Sequence, residues 1–275
     1  VERLMKLLNA RVKKIEKIKH DVFLLSFHCP AIAKIAQPGQ FLHIKVRGPT
    51  ILRRPLSIHS VKGNDIYLLF RVRGRGTLAL SRYKSGDELD ILGPLGQGFT
   101  IRPTAHGPRP TASILVAGGM GAAPLVFLAV QLKKQSMVHG PRSTGKKPKN
   151  IVLLGAKTKS ELLCEKEFKK LGFEVKIATE DGSLGTQGTV VDVLNNYLST
   201  FYSLLSTFVY ACGPNAMLFE ISKILEKHPQ TTGQVSFEQF MGCGIGICCG
   251  CTINTKNGFK KACKDGPVFD IRDVW

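Results

Sequence analysis

From residue 112 onward the chain repeats one rhythm, in which a short apolar run is followed by a turn and then a helical stretch. Residues 114–117, 151–156, 173–179 and 208–211 read as strands; 125–134, 160–171, 190–198 and 216–227 read as helices. In the last helix the apolar residues fall at 217, 218, 221, 224 and 225, so one face is buried. Strands that alternate with helices pair in parallel, because each helix carries the chain back across the sheet. The first hundred residues lack that rhythm. Short apolar runs at 22–28, 39–46, 56–61 and 65–72 are separated by Pro, Gly, Asn and Asp, with one helix-like interruption at 78–83. That spacing predicts a small antiparallel barrel. After residue 232 a cysteine- and glycine-rich tail has no clear period. The expected organisation is a barrel over 1–104, an α/β domain over 110–231 and a C-terminal module over 232–275. The proline-rich stretch 102–111 is the linker.

The tail concentrates the chemistry. "CGIGICCGC" at 243–251 holds four of the eight cysteines. Cys243, Cys248 and Cys251 give C-x4-C-x2-C, and Cys263 follows after eleven more residues. That is the plant-type spacing for a [2Fe–2S] cluster, in which each iron takes two thiolates. Gly244, Gly246 and Gly250 let the backbone approach the sulfurs, and Lys256, Lys260, Lys261 and Lys264 offset the negative core. A structural zinc site and a redox disulfide are the alternatives, but zinc prefers two separated cysteine pairs and here there is one. Cys249 is the spare thiol.

Three further stretches point to nucleotides. The turn "AGGMGAAP" at 117–124, with Gly118, Gly119 and Gly121, joins a strand to a helix. Such a turn lets a pyrophosphate reach the N–H groups of a helix N-terminus. Cys212, Gly213 and Pro214 end the fourth strand of the α/β half, where open parallel sheets bind ligands. "RRPLSI" at 53–58 and "RGRGT" at 73–77 bring arginines, a glycine turn and a hydroxyl together, as a diphosphate cradle would. Taken singly, each of these also fits an ordinary turn or a solvated charge cluster.

The bulk numbers exclude some classes. Lys and Arg total 39 against 20 Asp and Glu, a formal charge of +19. The basic residues are scattered, no aromatics alternate with them, and the one dense run at 145–150 sits in a Gly/Pro/Ser-rich loop. A nucleic-acid platform is not indicated. The longest apolar run, near 124–130, is far short of the roughly 18–20 residues that span a bilayer. A basic start without a signal-like apolar run, and clustered cysteines, predict a cytoplasmic protein.

In this order the stretches resemble the ferredoxin–NADP reductase superfamily. Within it they resemble the electron-transfer subunits of two-component, NAD-linked dihydroorotate dehydrogenases, over essentially the whole chain. The resemblance implies FAD held by Arg54, Pro55, Leu56 and Ser57 with Gly74, Gly76 and Thr77, and NAD(H) held by Gly118, Gly119, Gly121, Cys212, Gly213 and Pro214. "GPLGQGF" at 93–99 matches the close of the barrel domain, "EDGS" at 180–183 a further nicotinamide-dinucleotide segment, and the tail the cluster module. Lys157, Leu56 and Cys249 depart from the family's usual arginine, aromatic, and aromatic or small residue. The implied role is an electron conduit, from an FMN-containing dihydroorotate dehydrogenase catalytic subunit to NAD, in a heterotetramer with two copies of each chain. No residue is assigned a catalytic role on dihydroorotate, which the partner must oxidise. A subunit of the NADH-dependent ferredoxin:NADP oxidoreductase, a hydrogenase or a sulfite reductase is the alternative, and the long gap before Cys263 favours the dihydroorotate system.

Overall fold

A computed structural model describes residues 5–48, 50–101, 112–138, 149–201 and 207–275. The linker at 102–111 and most of the basic stretch at 139–150 lie outside the described residues. The chain forms two compact units: Val1–Gly98 with Gln239–Asn254 and Phe259–Val268, and Phe99–Glu238 with Thr255–Gly258 and Phe269–Trp275. The segment read as a C-terminal module therefore divides between both units.

The first unit is built on a seven-stranded antiparallel sheet. Its strands are β1 (Lys6–Lys17), β2 (Val22–His28), β3 (Phe41–Lys45), β4 (Arg54–Ser57), β5 (Ser60–Lys62), β6 (Asp65–Arg71) and β7 (Glu88–Leu95). Their order is β4-β3-β7-β1-β2-β6-β5. The stretch 56–61, expected as one strand, is two. Between them the Ile58 N–H bonds the Gln40 carbonyl beside β3, and the His59 N–H bonds the Tyr67 carbonyl of β6. The chain thus passes directly from one edge of the sheet to the other, and that step closes the barrel. Phe27, Leu42, Ile44, Ile58 and Ile66 are fully buried. Two turns of helix stand outside the strands, α1 (Pro30–Ala33) and α2 (Arg75–Leu80).

The second unit is a parallel sheet. β8 (Ala112–Gly118), β9 (Lys149–Ala156), β10 (Glu174–Thr179), β11 (Thr186–Gln187), β12 (Thr207–Cys212), β13 (Thr231–Ser236) and β16 (Val268–Asp270) run in the order β11-β10-β9-β8-β12-β13-β16. The switch of direction falls at β8, whose neighbours are β9 and β12. Four helices fill the crossovers: α3 (Ala122–Val138), α4 (Glu165–Lys170), α5 (Val190–Phe201) and α6 (Asn215–Lys227). α6 buries Leu218, Ile221, Ile224 and Leu225, the face its periodicity predicts, each worth about 1.5–3 kcal/mol. The helix expected over 160–171 is shorter. Leu162 is extended, Leu162 and Leu163 turn into the core, and Cys164 at φ +62 delays the helix to Glu165. A hairpin of β14 (Thr252–Thr255) and β15 (Gly258–Lys261), then the turn α7 (Ile271–Val274), complete the chain.

Candidate functional site

The cysteine loop folds around its own sulfurs. Cys243 Sγ accepts the backbone N–H groups of Ile245, Ile247 and Cys248 at 3.5, 3.3 and 3.4 Å. Cys263 Sγ accepts the Gly246 N–H at 3.1 Å, and Cys251 Sγ accepts the Cys263 N–H at 3.4 Å. The thiols fall into two pairs. The Cys248 side chain neighbours Cys243 and helps lower its pKa, and the Cys251 side chain neighbours Cys263 and helps raise its pKa. Among the described residues no three His, Cys, Asp or Glu side chains converge as they would around a single metal ion.

Two pairs of thiols suit two irons, each with two thiolates, better than one tetrahedral zinc. The electrostatics agree. Burial raises the Cys243 thiol, but the N–H groups of Cys248 and Ile245, the Cys248 side chain and the Ile247 N–H outweigh it and draw its pKa down to about 6. Cys263 is pushed up to about 12, first by burial and then by Cys251, with Cys243 adding to the rise. Sulfurs crowded this closely ionise together only when a cation sits among them. Lys261 Nζ bonds the Gly246 carbonyl at 2.7 Å, and the Lys264 stem lies against the same glycine. Cys249 stands apart, exposed, at φ +58, its thiol directed to the Ile247 carbonyl at 3.8 Å.

The loop packs on the barrel. Phe41 of β3 and Leu95 of β7 form one buried cluster with Cys251, Ala262 and Cys263, and Leu92, Met241 and Ile245 pack against it. β3 pairs with β4, Phe41 opposite Ser57 and His43 opposite Pro55, so these residues share one face of the sheet. The cysteine loop thus lies against β3, and Arg54-Pro-Leu-Ser57 forms the neighbouring strand, about one inter-strand spacing, ~4.8 Å, from β3. Sequence reading missed one residue here. His43 is 0% exposed, and neither ring nitrogen has a hydrogen-bond partner. An unpaired buried polar group costs about 1–3 kcal/mol, so this ring requires an explanation. A single histidine inside an apolar strand carried no motif that could have flagged it.

The stretch Arg54–Ser57 is half-exposed along its length. The Arg54 guanidinium bonds the Leu52 carbonyl at 2.8 Å and lies over Gly76, where any Cβ would overlap Nε. The Thr77 hydroxyl ties the turn together, accepting the N–H groups of Arg73 and Gly74 at 2.9 and 3.3 Å. A cation and a hydroxyl-braced glycine turn thus meet in one place, the chemistry a diphosphate needs.

In the second unit the two glycine-bearing turns meet at the carboxyl ends of neighbouring strands. β8 ends at Gly118 and β12 at Cys212. A Cβ on Gly121 would overlap the Cys212 carbonyl, and one on Gly213 would lie 3.1 Å from the Gly118 Cα and N. Backbone touches backbone at this crest of the sheet, and the Met217 side chain packs against Gly118 and Gly213. Cys212 itself is buried; desolvation, then Glu238, push its thiol well above the ordinary range, so it acts as a small packing residue. Ser183 donates its hydroxyl and N–H to Asp181 and holds that carboxyl below its usual value. Ser183 Oγ also accepts the Lys159 N–H at 2.8 Å, which joins the ends of β9 and β10.

Residues 238–275 match the family model for the iron–sulfur cluster binding domain of dihydroorotate dehydrogenase B, and residues 115–223 match an oxidoreductase NAD-binding domain. A solved structure of an NADH-dependent reduced ferredoxin–NADP oxidoreductase superposes with a TM-score of 0.79 at 29% identity, covering 97% of this chain and 89% of that one. A ferredoxin NADP+ reductase from Neisseria gonorrhoeae shares the fold alone, with a TM-score of 0.65 at 15% identity over 84% of this chain and 99% of that one. The fold and its domains therefore define an oxidoreductase of the ferredoxin-reductase class. The electron transfer subunit of dihydroorotate dehydrogenase B (NAD(+)) from Desulforamulus reducens is 39% identical over 96% of each chain, and that from Bacillus caldolyticus 38% over 88% of each. The chain belongs to the family of dihydroorotate dehydrogenase B electron transfer subunits.

Proposed function

We propose that this chain carries electrons between NAD and a partner catalytic subunit that oxidises dihydroorotate, using bound FAD and a [2Fe–2S] cluster. The observation that carries this reading is the packing of Cys251 and Cys263 on Phe41 and Leu95, one strand from the RPLS stretch. When bound, FAD supplies hydride exchange with nicotinamide, and the cluster supplies single-electron transfer. The chain's own residues hold these groups in place. Arg54 with Gly74, Gly76 and Thr77 takes the FAD diphosphate, and Pro55, Leu56 and Ser57 border its ring. Gly118, Gly119 and Gly121, with Cys212, Gly213 and Pro214, receive the nicotinamide dinucleotide. Cys243, Cys248, Cys251 and Cys263 hold the cluster, and the loop N–H groups stabilise its negative sulfurs.

Cys248 is the exposed ligand, and Ile247 and Phe240 on the same loop are 75% and 94% exposed. Large exposed apolar side chains beside a redox group suit a docking surface. The partner is an FMN-containing dihydroorotate dehydrogenase catalytic subunit, in a heterotetramer with two copies of each chain. All eight cysteines are unpaired, which fits a reducing, cytoplasmic setting. Among the described residues no helix is long and apolar enough to cross a membrane.

Likeness to the NADH-dependent ferredoxin–NADP oxidoreductase structure supports a second reading, service in a bifurcating complex of that kind. The eleven residues between Cys251 and Cys263 favour the dihydroorotate system. Anaerobic addition of NADH to the purified chain should bleach its flavin absorbance; a colourless protein would overturn both readings. Cys249→Ser should leave iron content and visible spectrum unchanged, since its thiol is directed to the Ile247 carbonyl and its side chain faces solvent. Loss of iron in that variant would show that the ligand set has been misassigned.

A further inference from the structure

His43 stands in β3 between two sites. On one side it is register-paired with Pro55 of the RPLS strand. On the other its ring meets the cysteine loop. A Cβ on Gly244 would lie 2.6 Å from Cε1, 2.7 Å from Nδ1 and 2.9 Å from Nε2, so the loop backbone lies across the face of the imidazole and the ring nitrogens point in-plane past Gly244. Gly244, at φ +72, is the residue that lets the loop approach so closely. The Phe41 ring sits edge-on at 5.7 Å and offers no hydrogen-bond partner. Arg53 bonds the His43 carbonyl, not its ring. Burial, then the Arg53 cation, draw the ring's pKa down to about 4. It is therefore neutral, with one N–H and one bare nitrogen.

Both nitrogens are sealed from solvent and unpaired within the protein. The loop's own donors at Ile245, Gly246, Ile247 and Cys248 already point at Cys243 and Cys263 Sγ. The groups in that loop that call for further donors are sulfurs. We propose that His43 is a positioning residue for the cluster, its ring N–H donating a hydrogen bond to a sulfur of the bound [2Fe–2S] group on the side of the flavin strand. The inference rests on reading Cys243, Cys248, Cys251 and Cys263 as the ligands. A donor at a cluster sulfur stabilises the more negative, reduced state and raises the reduction potential.

The test uses the full chain, with His43→Leu to remove the donor and His43→Gln to retain an N–H. Iron, sulfide and FAD are counted per chain, and cluster and flavin potentials are titrated in parallel under EPR and optical detection. His43→Leu should keep its iron and FAD, while the reduced-to-oxidised ratio of the cluster at fixed potential falls about tenfold, ~59 mV for one electron. His43→Gln should recover most of that shift, and the flavin potential should not move. As a measurement on the unmutated chain, histidines labelled with the heavy nitrogen isotope should give a hyperfine coupling in pulsed EPR of the reduced cluster, absent in His43→Gln. An unchanged cluster potential in an iron-replete His43→Leu, a shift confined to the flavin, or no nitrogen coupling in the labelled protein would each overturn the proposal. If His43→Leu fails to retain iron, the labelled unmutated chain decides. A wild-type chain that binds no iron would overturn the ligand assignment itself, an outcome separate from any behaviour of His43.

Discussion

Cys248→Ser is expected to strip the chain of its cluster, with iron and sulfide falling towards zero and the brown absorbance lost. Cys248 is paired with Cys243, whose sulfur already collects three N–H groups, so removing its partner leaves one iron a thiolate short. The side chain is exposed and outside the barrel core, so the fold and the flavin should survive the change. NADH-dependent reduction of a small dye should therefore persist near the unmodified rate, while delivery to or from the partner stops. Iron analysis and the two assays on one preparation check this. Full iron content would sink the ligand assignment, and loss of dye reduction would show that cluster and flavin are not separable.

Gly121→Ala should damage the other end of the conduit. Its Cβ would overlap the Cys212 carbonyl, and both partners are backbone at the ends of adjacent central strands, so neither can swing aside. Overpacking of this kind costs about 3 kcal/mol or somewhat more. For a unit of this size the thermal midpoint should drop on the order of 10 °C. Displacement of the turn should also slow NADH-driven flavin bleaching on the order of 100-fold, since small misplacements at a binding turn are costly. Gly119→Ala is the stability control. At φ +53 it meets open space and should cost only about 1 kcal/mol. Equal stability of the two variants would refute the backbone-contact account of the crest.

Much of this architecture could be read from the chain. The parallel sheet was legible because each of its central strands is a continuous apolar run, and α6 because its buried face repeats at helical spacing. β1 was not, because Lys6–Lys17 mixes basic residues into its alternation and only one face meets the core. β7 alternates almost without fault, but Gly93-Pro94 inside it reads as a break. The cysteine spacing pointed to the proposed ligand set, and the structure adds that Cys251 and Cys263 rest on Phe41 of β3 and Leu95 of β7. His43 was illegible for a physical reason. Its significance lies in a long-range contact with Gly244, two hundred residues away in the chain, and local pattern carries no trace of it.

The most direct test mixes the purified chain with an FMN-containing dihydroorotate dehydrogenase catalytic subunit from the same source, dihydroorotate and NAD, and follows the appearance of NADH. Steady NADH formation that requires both proteins, and that Cys248→Ser abolishes, is the predicted result. No NADH from a chain that carries FAD and iron and still reduces dye with NADH would contradict the account and point to another partner complex.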